Sequence, residues 1–142
     1  ARVLNDLLKG RDDMASSNAA AGIDAVNAYI DGFNSLDIEA MSTSFNFPHV
    51  RLARGEFYTF DSAEQFSQQS QRLADSLAAE GWDHTVVESA DVIHEGEDKV
   101  HVAMTVARRN AKGETYNRFN TLWIATLQDG HWGIQFRSSY LV

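Results

Sequence analysis

The last third of the chain, Lys99 to Val142, is the most constraining stretch of the sequence. It divides into three long apolar-rich segments, 99–109, 114–127 and 131–141. Short turn sequences separate them, Asn110-Ala111-Lys112-Gly113 and Gln128-Asp129-Gly130. Hydrophobic residues recur at about every second position, the period of a strand with one face covered. Connections this short join antiparallel neighbours. Strands of 11 to 14 residues exceed the ~5–6 usual in globular domains. A sheet that long twists, and it needs a second layer to cover its apolar face. The helical segments upstream are the only candidates for that layer.

Those segments follow in order. Val3, Leu4, Leu7 and Leu8 predict a short N-terminal helix, followed by a polar hinge at Asp12-Asp13 and Ser16-Ser17-Asn18. Residues 1–18 are therefore expected to form a helical arm. Ile23, Val26, Ile30 and Phe33 predict an amphipathic helix over 19–35, with Asp24, Asn27, Asp31 and Asn34 on its polar side. A short helix is expected over 38–45. The single proline, Pro48, ends the helical region. A hairpin over 49–53 and 56–60 turns at Arg54-Gly55. Asp61, with Glu64 three residues on, predicts the start of a third helix, and Gly81 its end. A strand over 84–94 turns at Gly96-Glu97-Asp98. No helix separates the last four strands, so the class is α+β, ordered α-α-β-β-α-β-β-β-β. The absence of a linker predicts one domain over 1–142, with 19–142 as its body.

Composition narrows the function. The net charge of −8 argues against a nucleic-acid-binding surface and against docking on anionic membranes. With no cysteine, thiolate chemistry and cysteine-based metal sites are excluded. The five histidines lack metal-ligand spacing, and no Gly-rich phosphate loop or serine elbow is present. No metal and no cofactor is expected. No apolar run reaches the ~20 residues of a membrane helix, and cytoplasm is the expected compartment.

Three further stretches carry a family resemblance. They are Val26-Asn27-Ala28-Tyr29-Ile30-Asp31-Gly32-Phe33-Asn34 with Ser35-Leu36-Asp37, the Phe47-Pro48-His49-Val50-Arg51 hairpin, and Leu122-Trp123-Ile124-Ala125 with Asp129-Gly130-His131-Trp132. With Gly81-Trp82-Asp83-His84 and Arg137-Ser138-Ser139, they resemble the nuclear transport factor 2-like superfamily, in its SnoaL-like and ketosteroid-isomerase-like branches. The resemblance implies a cystatin-like roll: a cone-shaped curved antiparallel sheet wrapped around the N-terminal helix. It also implies an apolar pocket in the cone mouth and a homodimer through the outer sheet face.

Ketosteroid isomerases carry an oxyanion-binding tyrosine where Tyr29 stands. The alternative for Tyr29 is a core phenol bonded to another side chain. Their aspartate base aligns with Leu52, which moves no proton. His49 is the substitute, since imidazole titrates near neutral pH. His49 and Arg51 share one strand parity, Val50 and Leu52 the other, so only one pair faces the pocket. His84 is a second candidate acid or base, and Trp82, Tyr58 and Phe33 are candidate pocket walls. Arg118 and Arg137 are candidate anion holders on neighbouring strands; the alternative is pairing with acids such as Glu88, Asp91 or Glu114. The expected function is binding of a small, largely apolar organic molecule. Cofactor-free isomerase, dehydratase or cyclase chemistry, or a non-catalytic binding or interaction role, follows from the same pocket.

Overall fold

The computed structural model describes residues 9–142 and side chains from Asn18 onward. The expected helix over 3–9 lies almost wholly outside the described residues. Helix α1 spans Lys9–Asn34, α2 Ile38–Thr43, α3 Ala63–Gln69 and α4 Leu73–Ala79. The strands are β1 Phe45–Ala53, β2 Glu56–Phe60, β3 His84–Glu95, β4 Lys99–Arg109, β5 Thr115–Gln128 and β6 His131–Ser139. The class is α+β as expected.

Three boundaries depart from the sequence reading. The polar segment 12–18 is helical, not a hinge, and α1 runs through it without interruption. No proline breaks that run, and a helix already nucleated extends through polar residues at little cost. The third helix is two, parted at Ser70–Arg72. Its cap is Ser62 rather than Asp61: Ser62 Oγ accepts from Gln65 N at 3.1 Å, while Asp61 N–H donates back to the Gln65 side chain.

The six strands form one curved, unclosed sheet in the order β2-β1-β6-β5-β4-β3. The last four strands are the expected meander. The sheet is mixed, however, because β1 runs parallel to β6. The α3–α4 segment carries the chain from β2 at one edge to β3 at the other so that the two run in the same direction, and the meander then brings β6 parallel to β1. Asn46 fixes this junction, donating to the Thr126 and His131 carbonyls at 2.8 and 3.0 Å.

Helix α1 lies across the concave face, burying Ala25, Val26, Tyr29 and Phe33 against Val100, Val102, Trp123 and Ile134. Close approach is needed in this packing and again between β6 and β1. Gly22 sits over Val100, whose Cγ1 would lie 2.9 Å from an added Cβ. Gly133 sits against the backbone of Phe45 and Asn46, where an added Cβ would meet atoms at 2.6 to 2.8 Å. Backbone cannot rotate away as a side chain can.

Gly133→Ala is therefore expected to destabilise the fold by about 2 kcal/mol or more through forced separation of β1 and β6. Urea denaturation of the two proteins measures it, and a loss under ~0.5 kcal/mol contradicts the close approach.

Candidate functional site

The concave face is set by strand parity. In β1 the inward set is His49 and Arg51, with Val50 and Leu52 outward. On either side the register is direct: Arg51 pairs with Tyr58 of β2 and with Arg137 of β6, and Arg137 pairs with Trp123 of β5. One rung therefore crosses the inner face as Tyr58–Arg51–Arg137–Trp123. Each guanidinium lies over its aromatic neighbour, Arg51 over Tyr58 at 5.4 Å and Arg137 over Trp123 at 5.7 Å. Cation–π attraction favours both contacts.

Arg137 reaches this position through a bulge. Simple alternation along β6 would put Ile134 and Arg137 on opposite faces. The register shift at Gln135 turns both inward. Arg137 is then 9% exposed. Its Nε donates to His49 Nε2 at 3.0 Å, and its Nη1 donates to Tyr29 Oη at 3.0 Å. The ring faces of Tyr29 and Phe45 lie 4.8 and 5.2 Å from its Cζ. A guanidinium has five N–H donors; two are used here, so three have no acceptor among the described residues.

His49 is fully buried, stacked on Phe45 at 3.7 Å. Its Nδ1 lies 2.8 Å from the Ile134 carbonyl. A carbonyl only accepts, so Nδ1 carries the proton and Nε2 offers its lone pair to Arg137. Burial, with Arg137 and Arg51 close by, pushes the imidazole pKa down to about 2. The lone pair a general base would use is already occupied. His49 thus orients Arg137 rather than facing the void.

The void lies between α1, the inner sheet and the α3–α4 segment. Its main lobe has a volume of about 380 Å³, and a narrow inner lobe adds about 40 Å³. Tyr29, Phe33, Arg51, Arg108 and Arg137 border both lobes. Tyr58, Phe60 and Phe66 wall the outer lobe, and Phe119 and Trp123 wall the inner one. Arg108 is charge-matched, since its Nη1 meets Glu80 Oε1 at 2.8 Å. Arg51 and Arg137 have no carboxylate within 4 Å among the described residues. Burial and the neighbouring Arg137 lower the Arg51 pKa to about 10.

The remaining sequence candidates divide. Tyr29, Phe33, Tyr58 and Arg137 border the void. Trp82 does not; its ring stands edge-on to Phe33 at 5.5 Å, and its Nε1 donates to Thr85 Oγ1 at 2.8 Å. His84 lies away from the void, paired with the exposed Asp83 at 2.9 Å. Arg118 is on the opposite face of the sheet, donating through Nε and Nη2 to both Glu88 oxygens at 2.6 and 2.9 Å. It shares no anion with Arg137, because bulge-corrected parity sends the two to opposite faces. Arg51 and Arg108 were missed as site residues. The shared parity of His49 and Arg51 carried the signal for the first; nothing local marked the second.

His49 gives the fold a pH signature. Its folded pKa lies below the unfolded value of 6.5. As pH falls through 6.5 the unfolded chain takes up a proton that the folded chain refuses. Stability is full above that pH and declines below it, by at most about 1.4 kcal/mol per pH unit. His101, also lowered by burial, adds a smaller slope. Between pH 6.5 and 5, His49→Gln is expected to flatten the urea-stability profile; an unchanged slope contradicts a neutral, buried His49. His49→Ala is expected to lose about 2–4 kcal/mol, because it strands an N–H donor and a carbonyl.

Comparison with known proteins agrees with this architecture. An NTF2-like protein with a cystatin-like fold from Novosphingobium aromaticivorans superposes with a TM-score of 0.71 at 18% identity, over 95% of this chain and 88% of that one. A protein of unknown function with a cystatin-like fold from Nostoc punctiforme gives 0.70 at 10% identity, over 87% and 90%. A ketosteroid isomerase-like protein from Erwinia carotovora atroseptica gives 0.63 at 18% identity, over 87% and 95%. These likenesses show a shared fold. No curated protein matches the chain. Residues 23–137 match the family described as NTF2-like protein (DUF6841), and the chain belongs to that family.

Proposed function

We propose that this chain is a small-molecule-binding protein whose ligand lies in the void beneath α1, and that it works by binding rather than by acid–base catalysis. The observation that carries the reading is the void itself. About 380 Å³ falls within the ~300–1,000 Å³ of small-ligand sites. Its aromatic wall of Tyr29, Phe33, Phe60 and Phe66 suits a largely apolar ligand body.

The chemistry of the lining supports binding over turnover. The titratable side chains bordering the void are Tyr29, Tyr58 and arginines. Among the described residues, no carboxylate or histidine borders it. Leu52 occupies the place of an isomerase aspartate and points outward. His49, the substitute base suggested by the sequence, has both ring nitrogens engaged. Proton abstraction needs an acceptor within hydrogen-bond reach, and arginine guanidinium does not supply one.

Nile red, a neutral solvatochromic dye, tests occupancy without presuming charge. Its emission is expected to shift to the blue on titration with the wild-type chain. Ser70→Trp, which fills the outer lobe from the α3–α4 link, is expected to weaken binding at least fivefold while leaving the thermal midpoint near wild type. No shift with the wild-type chain, or undiminished binding in the variant, contradicts a ligand site in this void.

A further inference from the structure

We infer that the ligand is an organic carboxylate: an anionic head held between Arg51 and Arg137, on an apolar, ring-sized body. The inference rests on the reading of the void as a small-molecule site and adds the chemical class of its occupant.

The argument starts from register. Arg51 and Arg137 are direct partners on adjacent parallel strands, both turned to the concave face. Like charges placed opposite one another in a sheet repel, and burial strengthens the repulsion by removing water. A chain with 20 acidic residues against 12 basic ones has carboxylates to spare, and it uses them elsewhere. Arg108 receives Glu80, and Arg118 and Arg109 share Glu88. The pair bordering the void receives none among the described residues. What holds it is neutral: the His49 lone pair, the Tyr29 hydroxyl and aromatic faces. These fix the direction of Arg137 while leaving three N–H donors and the whole charge unmatched. Arg51 makes no hydrogen bond to a protein acceptor among the described residues, although it borders both lobes.

An anion resolves each of these features. It removes the repulsion, accepts the free N–H groups, and is held in the forked geometry that guanidinium offers a carboxylate. A carboxylate is favoured over a phosphate by the surroundings. The wall beyond the two arginines is aromatic; of the other two cations on the lining, Arg108 is already neutralised by Glu80, and Arg72 is exposed on the α3–α4 link. A dianion would leave one charge facing apolar rings. A monoanion with a ring-shaped body matches both the charge and the wall.

The test compares isosteres by titration calorimetry on the full chain at low salt. The probes are benzoate, 1-naphthoate and cyclohexanecarboxylate, each beside its neutral carboxamide. At least one acid is expected to bind ten times or more tightly than its amide, with the advantage shrinking as salt is added. Arg51→Gln keeps the His49–Arg137–Tyr29 contacts and is the informative variant, since Arg137 substitutions risk the fold. In Arg51→Gln the acid-to-amide ratio is expected to fall toward one, the acid losing more affinity than the amide. Equal affinity for acid and amide, or a preference that survives Arg51→Gln, overturns the inference. So does failure of every acid to bind; if Nile red still binds, the ligand site stands and only its charge class falls. Phenyl phosphate binding more tightly than benzoate overturns the choice of carboxylate.

Discussion

A buried guanidinium without a carboxylate partner among the described residues governs this structure. Arg137 sits on the concave face of the sheet at 9% exposure, where an unpaired charge is strongly unfavourable unless it is hydrogen-bonded. Two hydrogen bonds to a charged group offset about 1.5–3 kcal/mol each, and aromatic faces add about 0.5–2 kcal/mol per contact. Those terms hold the side chain in one orientation. They leave its charge uncancelled, and Arg51 beside it doubles the excess. The inner face is thus electropositive within a chain of net charge −8.

The surrounding architecture follows from keeping that arrangement in place. The bulge at Gln135 turns Arg137 inward. The parallel pairing of β1 with β6, locked by Asn46 and by the close contact at Gly133, brings His49 and Arg51 beside it. Helix α1 delivers Tyr29 from the other layer. His49 is useful here because it is neutral: a protonated imidazole would repel the guanidinium it now accepts from. The residue type that suits proton transfer in solution therefore serves as a positioning group, and its low pKa follows first from burial and then from the adjacent guanidinium.

The sequence made the architecture legible where a single period persisted. The long strands from His84 onward and the amphipathic run from Ile23 to Phe33 alternate regularly enough to fix class and layering. It misled where a local signal met a non-local one. Polar residues 12–18 read as a hinge, yet nothing there stops a helix. The parity of β1 was a tie between His49/Arg51 and Val50/Leu52, broken only by pairing with β2 and β6. Arg118 and Arg137 looked alike on neighbouring strands. One extra residue in β6 separates their fates, sending Arg137 into the void and Arg118 to a two-point contact with Glu88. A bulge leaves no mark in composition, so this distinction needed coordinates.

The claim with most resting on it is that His49 stays neutral and lends Nε2 to Arg137. Nitrogen-15 NMR of the histidine rings reads this directly. The account predicts a single His49 spin system, protonated at Nδ1 and bare at Nε2, unchanged from pH 8 to pH 5. An imidazole that titrates with a midpoint near 6.5, or that carries its proton on Nε2, contradicts it.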